Sequence, residues 1–188
     1  MNPHDTPSPD AARDEWLVLR CQIGEREAFD ALIARWHPLL WRYAARLTND
    51  PDAAADVVQD VWLRVLRGLP GLRDAARFRA WLFGIARRVL MDRLRIRYAA
   101  PLMEAVDLTE IPEAVADDDL AEDLSLLQTE LAHLPMPERE VLVLFYLREL
   151  SLKDIAEIAG IPVGTVKSRL FRARHLLRAQ LVGKGVHP

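Results

Sequence analysis

An all-α fold arranged as two small helical domains is what this 188-residue chain predicts, and three features carry the prediction. Apolar residues recur at three- and four-residue intervals over long stretches, and no useful length of strand-like alternation interrupts them. Pro, Gly, Asp and Ser stand at the ends of those stretches, where caps and turns need them. The sign of the charge also changes along the chain: between Arg97 and Arg139 there is no Lys or Arg, while Glu104, Asp107, Glu110, Glu113, Asp117, Asp118, Asp119, Glu122 and Asp123 accumulate. With Pro101 and Pro112, residues 99–122 read as an acidic linker between a first domain at 13–98 and a second at 123–184, and residues 1–12 as a disordered tail.

The first domain opens with Phe29, Leu32, Ile33 and Trp36, and the same spacing resumes after Pro38 with Leu39, Leu40, Tyr43, Ala44 and Leu47. Proline lacks the amide hydrogen a helix interior needs, so Pro38 is expected to kink or divide this helix. Asp50-Pro51 then supplies a cap and a first-turn proline for a second helix that Gly68 can close. Its stripe of Ala54, Val57, Val58, Val61, Trp62 and Val65 leaves Asp56, Gln59, Asp60 and Arg64 on the remaining surface. A third helix, about Ala75 to Arg97, directs Phe78, Trp81, Leu82, Ile85, Val89 and Leu90 to a core and is otherwise rich in arginine.

In the second domain Leu120, Leu124, Leu127, Leu131 and Leu134 are spaced for one helical face, and Pro135 and Pro137 end that helix and start another from Glu138 to about Arg148. Ser151 and Asp154 have capping-box spacing, with Leu150 and Ile155 placed as a hydrophobic staple. About two turns later Gly160-Ile161-Pro162 supplies a left-handed turn and a new start. The helix that follows buries Val166, Leu170, Ala173 and Leu177 and is basic elsewhere. Small Ala156 and apolar Val166 fall where two closely crossing helices need a small side chain and a plug. Short helix, glycine turn and longer basic helix make a helix-turn-helix, whose second helix enters the major groove of DNA. Thr165, Lys167, Ser168, Arg169, Phe171, Arg172 and Arg174 are the candidate contacts. Arginine can read guanine bidentately, and an apolar ring can meet a thymine methyl.

Composition narrows the alternatives. The net charge is −3 and 51% of residues are hydrophobic, ordinary values for a folded protein. Cys21 is the only cysteine, so neither an internal disulfide nor a cysteine metal cluster can form; a lone thiol fits a reducing cytoplasm. The N-terminal residues lack a signal-peptide pattern, and no apolar run approaches the ~20 residues of a membrane span, so a cytoplasmic protein without membrane insertion is expected. The five histidines stand without metal-ligand spacing and there is no glycine-rich phosphate loop. Neither an enzyme nor a cofactor or metal site is expected.

Two blocks of residues resemble a known family. Leu134-Pro135, Glu138 to Leu142, and Leu150-Ser151 through Gly160-Ile161-Pro162-Val163-Gly164-Thr165-Val166-Lys167-Ser168-Arg169-Leu170 to Arg172-Ala173-Arg174 resemble region four of extracytoplasmic-function (ECF) sigma factors of RNA polymerase. Asp56-Val57-Val58-Gln59-Asp60-Val61-Trp62 and Phe78-Arg79-Ala80-Trp81-Leu82 with Ile85-Ala86-Arg87 resemble region two. The likeness spans about Phe29 to Arg97 and Leu124 to Leu181, with the linker too short for a further domain.

The resemblance implies a transcription initiation factor that binds core RNA polymerase and promoter DNA. Region four would read the distal (minus thirty-five) element as duplex, and region two would melt and capture the proximal (minus ten) element. It places polymerase binding on Asp56, Gln59 and Asp60, flanked by Trp62 and Leu66, and single-strand capture on Arg77, Phe78, Trp81, Arg87, Arg88 and Arg95. Burial habits alone put Phe78 and Trp81 in the core. Arg88 stands where many relatives carry asparagine, which favours phosphate binding over amide-type base reading. An anti-sigma protein or other regulator is the further partner implied. The acidic linker is either a solvated spacer or an occupant of the polymerase's RNA path. A helix-turn-helix regulator that does not bind polymerase is the alternative; it leaves the region-two residues without a role.

Overall fold

The computed structural model describes residues 9–99, 129–146 and 150–183, and among these every regular element is helical. Helix α1 (Pro9–Gln22) starts inside the segment that reads as a tail. Its first turn is held from across the fold, where Asp10 pairs with Arg35 at 3.1 Å. One turn on, the Asp14 carboxylate is 2% exposed, accepts from the Trp36 indole at 3.1 Å and from Arg79 Nε at 2.8 Å, and forms an ion pair with the Arg35 guanidinium at 2.8 Å. A buried charge persists only when paired in this way. Its partners lie on other helices, so the start of α1 is a tertiary decision.

Helix α2 (Arg26–Thr48) is not divided at Pro38. The proline removes one backbone donor and its ring crowds the preceding turn, together costing about 3 kcal/mol. Leu32 and Trp36 before it and Leu40 and Tyr43 after it are all buried on one face, each worth about 1.5–3 kcal/mol, so burial outweighs that cost. Asn49 closes the helix in the left-handed conformation (φ 52°). Asp50 then caps α3 (Pro51–Gly68), accepting from the Ala53 amide at 3.0 Å. Gly68 ends α3 as expected, though with right-handed backbone and by clearance: a Cβ there would lie 3.0 Å from the Trp81 ring. The chain runs through a 3₁₀ turn, Leu69–Gly71, and the carbonyls of Leu69 and of Leu72 just after it accept from the Gln22 amide at 3.0 and 2.8 Å.

A second 3₁₀ turn, Ala75–Arg77, leads into α4 (Phe78–Ala99). Phe78, Leu82, Phe83, Val89 and Leu90 of α4 are buried. Trp36 meets Phe78 and Phe83 edge-on with centroids 6.1 Å apart, and Tyr43 meets Phe83 at 5.5 Å. Such T-shaped pairs add to burial through the ring quadrupole.

In the second domain helical residues 129–132 precede α5 (Met136–Tyr146), α6 (Leu152–Ala159) and α7 (Val163–Gly183). Leu131 and Leu134 are buried, as their spacing predicts; Leu120, Leu124, Leu127, Arg148 and residues 100–122 of the linker lie outside the described residues, while Ala99 ends α4. The capping box at α6 is complete, with the Ser151 amide donating to Asp154 at 2.8 Å and the Asp154 amide to Ser151 Oγ at 3.1 Å. Gly160 takes φ 67°, and Ala156 and Val166 are buried at the crossing.

The two domains also meet directly, which their sequences do not announce. Helix α5 packs on α2, α6 packs on α4, and one continuous buried cluster runs through both. At the centre of the contact the Glu140 carboxylate, 2% exposed, accepts from the Tyr43 hydroxyl at 3.2 Å and from Arg87 Nε at 2.8 Å. Burial first, and the adjacent carboxylate second, push the Tyr43 phenol well above its ordinary range, so it stays a donor.

Candidate nucleic-acid interface

Helix α7 presents two faces. Val166, Leu170 and Ala173 anchor it on α5 and α6, which leaves Lys167, Ser168, Phe171 and Arg172 exposed together. Phe171 is 74% exposed, a large apolar ring that no intramolecular contact requires there. Arg172 reaches back to Glu138 at 3.3 Å but remains largely exposed, and Ser168 Oγ donates to the Thr165 carbonyl at 3.0 Å. Thr165 and Arg169 are half-buried at the edge of this face. Arg174 points elsewhere: its guanidinium lies over the rings of Phe145 and Tyr146, 5.0 and 5.9 Å from their centroids. Cation–π attraction to α5 therefore occupies one of the predicted contacts.

Helix α4 contributes a cationic edge. Arg77, Trp81, Arg87 and Arg88 line one cleft, and the opposite wall is Glu157, Ile158 and Gly160 of the helix-turn-helix. Arg87 is bonded to Glu140, Arg77 to Glu157, and Arg88 to its own helix through the Gly84 carbonyl at 3.0 Å. Arg95 is exposed beyond the cleft, with Asp92 at 3.8 Å. Phe78 has to be corrected: it is fully buried against Trp36 and Trp81, so it braces the edge instead of offering a stacking surface. Trp81 is half-buried and remains the aromatic group of the set.

The acidic patch sits on α3. Asp56 and Gln59 are exposed, and Asp60 is half-exposed. Arg93 of α4 bridges the two carboxylates, 3.0 Å from Asp56 and 2.6 Å from Asp60, and these bonds raise its pKa. Trp62 is turned inward, 9% exposed and edge-on to Phe29 at 5.9 Å, and its indole nitrogen has no hydrogen-bond partner among the described residues. It supports the patch from beneath. The exposed apolar neighbours are Leu66, as predicted, and Leu63, which sequence reasoning missed; the i+4 spacing from Gln59 to Leu63 was the available signal. Arg93, Glu140 and Glu157 were missed too, because their partners are remote in sequence. Among the described residues no three potential metal ligands converge, and no helix is long and apolar enough to cross a membrane.

The described residues thus set a basic helix-turn-helix beside an acidic and arginine-rich helical bundle. Residues 32–98 match the family model for sigma-70 region 2, and residues 124–177 that for sigma-70 region 4. The ECF sigma factor SigW of Bacillus subtilis is 32% identical over 176 residues, covering 87% of this chain and 94% of that protein. SigL of Mycobacterium tuberculosis is 40% identical over 151 residues, covering 79% and 85%. Among solved structures, CnrH in complex with the cytosolic domain of CnrY superposes with a TM-score of 0.69 at 29% identity, covering 91% of this chain and 98% of that one. The sigma factor RpoE of Bartonella quintana, in complex with the anti-sigma factor NepR, gives 0.68 at 27% identity, covering 81% and 96%. The chain belongs to the ECF group of the sigma-70 family, and it is a non-enzymatic transcription initiation factor. The region-two match removes the alternative of a regulator built on the helix-turn-helix alone.

Proposed function

We propose that the outer face of α7, centred on Lys167, Ser168, Phe171 and Arg172, reads the distal promoter element as duplex. The carrying observation is that this face is cationic, exposed and mounted on a capped, glycine-turned scaffold. The edge of α4 holding Arg77, Trp81, Arg87 and Arg88 captures the unpaired proximal element, with phosphates on the arginines and a base on the ring. Asp56, Gln59, Asp60, Leu63 and Leu66 dock core RNA polymerase, where carboxylates and exposed leucines suit a basic, partly apolar helix pair. With core polymerase as its partner, the protein works in the cytoplasm in this reading. An anti-sigma partner is supported by the bound state of the RpoE relative.

Reconstitution with core polymerase and run-off transcription on genomic fragments tests the assignment. Specific starts should require the chain and disappear when Asp56 and Leu66 are both replaced by alanine, with binding to core lost in a pull-down. Core retention by that variant would remove the docking assignment.

A further inference from the structure

We propose that Arg93 is the positioning residue of the polymerase-docking face: reaching across from α4, its guanidinium holds Asp56 and Asp60 of α3 in the paired arrangement that a basic helix pair on core polymerase engages. The proposal rests on the assignment of Asp56 and Asp60 to docking and adds to it a residue from the neighbouring helix.

All three guanidinium nitrogens are committed to the pair. Arg93 Nε and Nη2 donate to Asp60 Oδ2 at 3.2 and 2.6 Å, and Nη1 donates to Asp56 Oδ2 at 3.0 Å. Each carboxylate thus gives one oxygen to the arginine, and the other, Oδ1, accepts no hydrogen bond among the described residues. The Asp56 and Asp60 side chains are 63% and 41% exposed, so two acceptors one helical turn apart stay open to a partner. Gln59 and Leu63 share this face by spacing, and Leu63 is exposed. Helices α3 and α4 pack together with Val57, Val61, Val89 and Leu90 buried, so Arg93 reaches a fixed target.

The chemistry calls for an arginine. Two carboxylates four residues apart on one helix repel each other. Unclamped, each turns to solvent, and a partner has to order both side chains as it binds, which lowers affinity. A planar guanidinium with forked donors ties both at once, whereas a lysine ammonium is a point charge on a flexible stem. The role is geometric more than stabilising, because Arg93 is 37% exposed and ion pairs at such sites add little to stability. Its charge acts in the opposite sense: a cation beside the carboxylates weakens their pull on a basic partner. Clamp and charge therefore predict opposite effects when Arg93 is removed.

The test titrates the fluorescently labelled full chain with core RNA polymerase and reads anisotropy. Arg93→Met, which keeps the apolar stem and removes the fork, should weaken core binding about tenfold, as expected when two side chains must be ordered on association. Arg93→Lys, which keeps the charge without the fork, should recover only part of that loss. In a chain already carrying Asp56→Ala and Asp60→Ala, Arg93→Met should have no further effect, since coupled residues are not additive. Tighter or unchanged binding by Arg93→Met would reduce Arg93 to a screening charge, and equal losses in both backgrounds would mean that it acts through the fold; either overturns the proposal, as does full recovery by lysine. Thermal melts identify a variant that fails to fold, in which case Arg93→Lys takes the place of Arg93→Met in both backgrounds. Intact core binding by the Asp56→Ala, Asp60→Ala chain would remove the docking assignment and the clamp together, whereas aspartates that matter beside an indifferent Arg93 would remove the clamp alone.

Discussion

Two basic helices, α4 and α7, receive opposite treatment from the fold. Both carry arginines beside an aromatic residue, and both were identified from the same kind of pattern. On α7 Lys167 and Arg172 stay exposed around Phe171, itself 74% exposed, although Arg172 also reaches Glu138 and Arg174 turns onto Phe145 and Tyr146. On α4 and the 3₁₀ turn that leads into it the corresponding groups meet acidic residues: Arg87 is bonded to Glu140, Arg77 of the turn to Glu157, and Arg93 to Asp56 and Asp60. A run of positive charge is thus mainly a surface in one helix and mainly a set of ion pairs in the other. The difference lies in which neighbours each helix acquires, so charge pattern alone identifies a cationic helix without saying whether it is available.

Several substitutions would break or sharpen this contrast. The largest effect should come from Lys167→Ala combined with Arg172→Ala: each contact is worth about 1–3 kcal/mol, so run-off transcription from a cognate promoter should fall about 100-fold with core binding unchanged. Unaltered start-site selection would mean that the exposed face of α7 is not the reader. Trp81→Ala should slow open-complex formation on duplex DNA about tenfold, as expected for one lost stacking platform. A pre-melted template should recover less than the full loss if the ring contacts a base, and all of it if the ring acts only in opening.

Stability changes are smaller and separate the scaffold from the surface. Gly160 holds φ 67°, so Gly160→Ala should cost more than about 1 kcal/mol, read from urea unfolding followed by circular dichroism. Ser151→Ala removes the cap on the Asp154 amide and should cost about 1 kcal/mol in the same measurement. The smallest effect concerns pH. The folded Tyr43 phenol is raised by burial and by Glu140, so its contribution to stability is complete below the unfolded value of about 10 and is lost as pH climbs toward the folded value. Alkaline titration monitored by scattering should loosen the wild type above about pH 10 and affect Tyr43→Phe less.

Much of the helix-turn-helix was legible because its signals are local. Ser151 and Asp154 are three residues apart, Gly160 sits at the turn, and Val166, Leu170 and Ala173 repeat at helical spacing; the structure adopts each of these as read. Errors arose where one rule met a remote partner. Pro38 does not divide its helix, because buried residues flank it on both sides. Residues 9–12, the end of the segment that read as a tail, form the first turn of α1 because Asp10 and Asp14 find Arg35, Trp36 and Arg79. Phe78 left the binding surface because Trp36, on another helix, covers it.

The order of amino acids determined the helices, their caps, the division into two matched regions and the location of positive and negative charge. These depend on contacts a few residues apart and on periodicity, which a linear string records. Only the tertiary structure decided which arginines are spoken for, that Trp62 faces inward while Leu63 faces out, and that the second domain rests on α4. Those outcomes depend on burial and on charges brought together across the chain. A carboxylate such as Glu140 acquires its role from the Tyr43 and Arg87 beside it, and nothing in its own neighbourhood of the sequence announces them.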